Sequence, residues 1–253
     1  MKLLSQARDL QRRRARERHG LFVCEGIRAV EELLRSPLRL RGALVTPRLA
    51  DAERGAALQA ALEAAGVDVV PVDEKAFDRA AQTDTPQGVL VVAEVPRITL
   101  DALPLHHTAR LLVLDGVQDP GNVGTILRTA AAFDVDATVA LPGTVDLWNA
   151  KVVRSAMGAL FHRPVCSATW DELDTFLRRH ELPLWVADAG GEPVERAAPP
   201  DRLALAVGNE GQGVDDRTRA RAQRIVALSI ASTVESLNVA VATGILLYVL
   251  RPR

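Results

Sequence analysis

From residue 111 onward, short β-branched runs alternate with helix-like stretches, and that alternation leaves few folds open. Leu111 to Val117, Ala137 to Leu141, Pro164 to Ala168, Leu184 to Ala187, Leu203 to Val207 and Ile225 to Ile230 read as strands. Val123 to Phe133, Ala150 to Leu160, Trp170 to His180, Asp216 to Ala222 and Leu237 to Leu250 read as helices. Strands that alternate with helices predict a parallel sheet covered on both faces. In such sheets ligands bind in the crevice outside the carboxyl ends of the strands. Three of the apolar runs end in polar, Gly-, Asn- and Ser- or Glu-containing turns, around residues 115–124, 208–213 and 234–239. Turns so far apart in sequence predict one assembled site.

The first half reads as a smaller α/β unit. A helix from Ile27 to Arg35 is stopped by Pro37, and an Ala- and Leu-rich helix from Ala56 to Ala65 is stopped by Gly66. Ala43 to Val45, Val67 to Val72 and Gly88 to Ala93 look like strands. Pro96, Pro104 and the His106-His107 pair then interrupt any periodicity. The expected boundaries are a first domain at 1–95, a linker at 96–109 and a second domain at 110–253.

Composition narrows the function classes. A hydrophobic fraction of 48% and a charged fraction of 25% are those of a soluble globular protein. Two isolated cysteines, Cys24 and Cys166, give neither a disulfide framework nor a zinc site, so a reduced, cytoplasmic protein without a metal is expected. The N-terminal stretch lacks the apolar core of a secretory signal. The apolar run Leu237 to Leu250 is shorter than the roughly 20 residues a bilayer span needs, and reads as a buried terminal helix. No membrane partner is expected. The formal net charge of −1 argues against non-specific coating of nucleic acid, but Arg12, Arg13, Arg14, Arg16 and Arg18 form a local basic stretch.

The glycine-rich turn at 208–213 does not have dinucleotide-fingerprint spacing, and Glu210 within it would repel a pyrophosphate. There is no Gly-Lys-Ser/Thr of a P-loop. Arg128, six residues after Asn122 on a predicted helix, offers a planar bidentate donor suited to phosphate, although a lone arginine can equally serve a surface ion pair. Ser236 could cap the final helix, and Asn238 could face a ligand or satisfy the loop backbone.

Taken in order, Asp119-Pro-Gly-Asn122-Val-Gly-Thr-Ile-Leu-Arg128-Thr-Ala130, Val207-Gly-Asn-Glu210-Gly-Gln-Gly213 and Glu235-Ser-Leu-Asn238-Val-Ala-Val-Ala242 resemble the three signature motifs of the SpoU/TrmH family. These are S-adenosylmethionine-dependent RNA ribose 2′-O-methyltransferases of the SPOUT class. Lys151 to Ala159 also resembles a family segment. Phe22 to Gly26 and Thr85 to Gly88 are similar to the L30e/L7Ae-like substrate-binding domain often fused to it.

The resemblance implies an α/β architecture in which an L30e-like domain precedes a parallel-sheet α/β knot domain with a deep trefoil knot. It implies a homodimer with its active site at the subunit interface. Asn122, Arg128, Glu210, Ser236 and Asn238 match the family's catalytic positions. Gly208, Leu228, Ile230 and Leu237 fall at positions for S-adenosylmethionine. Arg12, Arg13, Arg14, Arg16 and Arg154 are expected to meet RNA. Many members carry Ile-Pro-Met where this chain has Leu228-Ser229-Ile230, which keeps an apolar wall but loses the proline. A guanidinium holds its proton firmly, so Arg128 is expected to anchor phosphate and orient the 2′-oxygen. The fused L30e-like domain points to 23S ribosomal RNA as substrate. Transfer RNA, or a catalytically silent RNA-binding role on the same fold, are the alternatives.

Overall fold

A computed structural model describes residues 2–251 and divides the chain into two compact units. The first comprises residues 1–96 together with 146–162, and the second comprises 97–145 and 163–253.

In the first unit the chain runs α1 (Lys2–Asp9), α2 (Arg13–His19), β1 (Leu21–Glu25), α3 (Ile27–Arg35), β2 (Leu40–Val45), α4 (Pro47–Ala50), α5 (Glu53–Ala64), β3 (Val69–Pro71), α6 (Glu74–Asp78) and β4 (Val89–Glu94). The sheet order is β1-β4-β2-β3; β4 is antiparallel to both neighbours, and β2 and β3 are parallel. Every residue of β1 is buried, which explains its unbroken apolar run Leu21-Phe22-Val23-Cys24. The two segments that resembled the substrate-binding domain meet here. The buried Glu25 carboxylate accepts the Gln82 backbone N–H at 2.8 Å and the Thr83 hydroxyl, while Gln87 Oε1 accepts the Ile27 N–H at 2.9 Å.

The residues after the sixth strand, 146–162, belong to this unit although they were expected with the second half. Phe22 has no solvent exposure and packs against Trp148 (ring centroids 4.6 Å) and Phe161 (5.9 Å). Arg16 corrects the reading of the basic stretch. It is 5% exposed, donates through Nε to Asp146 Oδ2 at 2.7 Å, and donates through Nη1 to the carbonyls of Leu10 and Gln11. A guanidinium so enclosed is a structural tie and not a phosphate contact. Arg12, Arg13 and Arg14 remain exposed.

The second unit contains β5 (Ala109–Asp115), α7 (Pro120–Ala132) and β6 (Ala137–Ala140). The chain then contributes α8 (Ala150–Ser155) to the first unit. It returns as β7 (Val165–Ser167), α9 (Trp170–Arg179), β8 (Leu184–Pro193), β9 (Arg202–Gly208), α10 (Asp216–Arg221), β10 (Arg224–Ala227) and α11 (Val239–Val249). The six strands form one sheet in the order β10-β8-β9-β5-β6-β7, and every pairing is parallel, as the alternation of elements predicts. The core is aliphatic, with Leu111, Val113, Val139, Val186, Ala204 and Ala206 buried on one layer against Leu173, Phe176 and Leu177 of α9. The stretch expected as a bare linker contributes to it: Leu103 is buried in this core and Ile98, Leu100 and Leu105 pack on it.

The terminal helix is less enclosed than its composition suggests. Leu246 and Leu247 are buried and Arg110 Nε donates to Leu250 O at 3.1 Å, but Val241, Ile245 and Tyr248 are exposed. Spaced at i, i+4 and i+7, they share one helical face. No helix among the described residues is long and apolar enough to cross a membrane.

Because Trp148 is buried against β1, Trp148→Ala should cost about 3 kcal/mol of stability, at the low end for removal of a buried aromatic ring. The loss should appear in urea unfolding and as weakened hydrogen-exchange protection at Leu21–Glu25. Unchanged protection there would refute the packing of 146–162 with the first unit.

Candidate active site

Asp115 ends β5, and the chain then turns through Gly116 (φ 74°) toward Asp119, whose side chain caps α7 by accepting the Asn122 N–H at 2.8 Å. Pro120 at the first helical position suits this start, because the N–H it lacks would have had no helical partner. The cap brings Asn122 to the top of the sheet. From there Asn122 Nδ2 donates to Glu210 Oε1 at 2.5 Å, and Asn122 Oδ1 accepts from Asn238 Nδ2 at 3.0 Å. One asparagine thus joins all three motifs.

Asn238, and not Ser236, is the N-cap of α11; its Oδ1 accepts the N–H groups of Ala240 (2.9 Å) and Val241 (3.3 Å). Both ends of its amide are therefore committed, one to the helix and one to Asn122. α7 and α11 lie side by side, close enough that a Cβ on Gly244 would stand 3.3 Å from Thr129 Cγ2.

The 208–213 turn is closed by reciprocal backbone hydrogen bonds between Asn209 and Gly213, both 2.9 Å. Its glycines are dictated by space. A Cβ on Gly208 would sit 2.2 Å from Gly213 C and 2.3 Å from Val214 N, which no side chain tolerates. Asn209 adds Nδ2 to Gly116 O at 3.1 Å and accepts the N–H groups of Gly211 and Gln212. The buried Asp115 carboxylate accepts the Asp215 N–H at 2.8 Å. The turn after β9 is thus pinned to the end of β5.

The 208–213 turn and the 235–237 segment, with residues 187–189 of β8, line a cavity of about 360 Å³ past the ends of β9 and β10, within the range of small-molecule sites. Gly208, Leu228, Ile230 and Leu237 all line it, as do Glu210 and Ser236. Its lining is partly apolar, through Val207, Val226, Leu228 and Leu246, and carries the carboxylates of Asp188, Glu210 and Glu235. Among the described residues no Lys, Arg or His lines it. Such a chamber suits a ligand with an apolar body and a positive charge. Asn122, Asn238 and Arg128 are not in the lining. Arg128 is exposed on α7 and, among the described residues, has no hydrogen-bond or ion-pair partner. Arg154 lies in the first unit, half-buried, with Nη1 enclosed and unpartnered.

The sequence reading passed over Asp188, Asn209 and Asp115. Burial would raise the Asp188 carboxyl, but the Arg219 guanidinium and the Gly190 N–H outweigh that and hold it below its ordinary range. Its signal was available. Ala187-Asp188-Ala189-Gly190 is a polar tip on an apolar strand, the same pattern that marked the other three turns. Among the described residues no group of three or more His, Cys, Asp or Glu could hold a metal ion.

With this geometry in place, comparison with known proteins defines the class. The profile of the SpoU rRNA methylase family matches residues 109–248, and that of the MRM3-like substrate binding domain matches residues 3–91. The chain belongs to the SpoU rRNA methylase family. It is 36% identical to the 23S rRNA (guanosine(2553)-2'-O)-methyltransferase RlmP of Bacillus subtilis, over 96% of this chain and 94% of that one. It is 32% identical to the 23S rRNA (guanosine-2'-O-)-methyltransferase RlmB of Salmonella typhi, over 88% and 95% of the two chains. The crystal structure of an AdoMet-bound rRNA methyltransferase from Sinorhizobium meliloti superposes with a TM-score of 0.86 at 25% identity, covering 98% of this chain and 93% of that one.

Two substitutions separate the roles of these residues. Asn238→Ala should cost about 1 kcal/mol, the usual value of an N-cap. Gly208→Ala should cost more and abolish the cavity, because the 208–213 turn must open to admit a methyl group. Thermal unfolding of both variants checks the ranking, and a Gly208→Ala protein as stable as wild type contradicts it.

Proposed function

We propose that this chain transfers a methyl group from S-adenosylmethionine to a ribose 2′-hydroxyl in 23S ribosomal RNA, with guanosine the nucleotide indicated by the names of both curated relatives. The observation that carries this reading is the acidic, partly apolar cavity lined by the second and third motif segments, to which Asn122 of the first is hydrogen-bonded. Gly208, Leu228, Ile230 and Leu237 would hold the donor, with Leu228-Ser229-Ile230 keeping an apolar wall without the family's proline. When bound, the donor supplies an activated methyl group on a sulfonium, so that transfer requires alignment and loss of one proton, without a metal.

The chain's own residues divide the remaining work. Asn122, Glu210 and Asn238 form the hydrogen-bonded relay that fixes the cavity rim. Ser236, which lines the cavity, would meet the ribose. Arg128, whose fork is uncommitted, grips an RNA phosphate and orients the 2′-oxygen. Arg12, Arg13 and Arg14, exposed on the first unit, supply further phosphate contacts, and the half-buried Arg154 one more. The first unit selects the RNA, reading shape and unpaired bases.

The working form is a homodimer, with the family's trefoil knot in each catalytic domain and a cytoplasmic location shared with its ribosomal substrate. The apolar residues Ile230, Val234, Leu237, Val241, Ile245 and Tyr248 are all exposed, and Ile230 and Leu237 also line the cavity. An apolar surface continuous with the site calls for a cover, and a second copy of the chain supplies it.

Mapping of 2′-O-methyl groups in 23S RNA should show one position that is lost on gene deletion and restored by the purified protein with S-adenosylmethionine. Complete modification in the deletion strain would refute the reading. Arg128→Lys should lower turnover at least about tenfold, since one bidentate contact is lost, while S-adenosylmethionine binding stays at wild-type strength. Near-normal turnover excludes the fork-anchor role. Tyr248→Glu should shift the protein from dimer to monomer in light scattering, and a monomeric wild type would overturn the dimer.

A further inference from the structure

β8 does not run straight past the cavity. Val186 pairs with Ile225 of β10, and the next pair is Glu192 with Val226, so residues 187–191 leave the ladder. Gly191 makes the return possible, because a Cβ there would lie 2.7 Å from backbone atoms of Ile225 and Val226. The excursion carries Asp188 onto the cavity wall. Its carboxylate is held at both oxygens: Oδ1 accepts the Gly190 N–H at 2.9 Å and Oδ2 accepts from Arg219 Nη2.

The two members of this pair are not equivalent toward the cavity. Asp188 lines it; Arg219, on α10, does not. Of the three lining carboxylates, Glu235 is on an exposed stretch and Glu210 is exposed and bonded to Asn122. The Asp188 side chain is only 19% exposed, so solvent and salt screen it less.

We propose that Asp188 is a specificity residue that makes the cavity favour a cationic sulfonium over the neutral thioether left after methyl transfer, with Arg219 behind it as a positioning residue that also tempers its field. The inference rests on the methyl-donor reading above. Donor and product differ by one methyl group and one positive charge, and that charge is what a fixed carboxylate distinguishes. The reaction thereby removes the attraction that held the donor, and product leaves more readily than donor.

Gly213 supplies the competing explanation to be tested. A Cβ there would be 3.5 Å from Asp188 Oδ2 and 4.0 Å from Arg219 Nη2, so the pair also braces the glycine turn. Calorimetric titration of the full chain with S-adenosylmethionine and S-adenosylhomocysteine separates charge from bracing. Asp188→Asn should weaken S-adenosylmethionine about fivefold and S-adenosylhomocysteine less than about twofold, the size expected for one partly screened charge. Arg219→Gln keeps the carboxylate and removes its counter-ion, so the preference for S-adenosylmethionine should rise. Equal loss of both ligands in both variants would mean bracing alone and overturn the proposal. Absence of heat with either ligand on the wild-type chain would instead remove the methyl-donor reading, and this inference with it.

Discussion

The Asn122 amide is the point on which the arrangement of the second unit depends. Its carbonyl accepts a hydrogen bond from Asn238 and its amino group donates one to Glu210, so the starts of two helices and the turn after β9 are held by a single side chain. Neither aspartate nor leucine can do this: the first offers no donor to Glu210, and the second neither donor nor acceptor. The relay is possible only because parallel strands deliver all their turns to one edge of the sheet. Backbone and side chain thus solve one problem together. The strands bring the turns near, and the amide sets their register.

Rigidity at the rim is matched by commitment of nearby polar groups. Asp115, Asn209 and Asp188 are each engaged by backbone N–H groups, and each ties one turn to another or to itself. In a partly desolvated site a polar group left without a partner is costly, so such groups define the loops as firmly as apolar packing defines the sheet. The contrast is Arg128, which is exposed and, among the described residues, carries no such commitment.

The parallel sheet was legible because its signal is periodic and local: six apolar runs separated by helix-length stretches allow little else. The turns at 115–124 and 208–213 were legible for the same reason, since each follows directly from a strand. What escaped reading depends on contacts distant in sequence. Arg16 sits in a basic run whose members look alike, and only Asp146, 130 residues away, distinguishes it. The apolar composition of α11 promised burial, yet composition does not say which face meets the sheet and which meets solvent. The polar tip at Asp188 was visible, but not that its strand, which looks as if it ends at Ala187, bulges out and resumes at Glu192.

The assignment of residues 146–162 to the first unit has a practical edge. A cut at Pro96 does not yield two whole folding bodies. The N-terminal piece would lack the rings of Trp148 and Phe161 that cover Phe22, and the C-terminal piece would bear them with nothing to cover. A graft of the first unit would therefore have to carry residues 146–162 as well, to keep Phe22 covered.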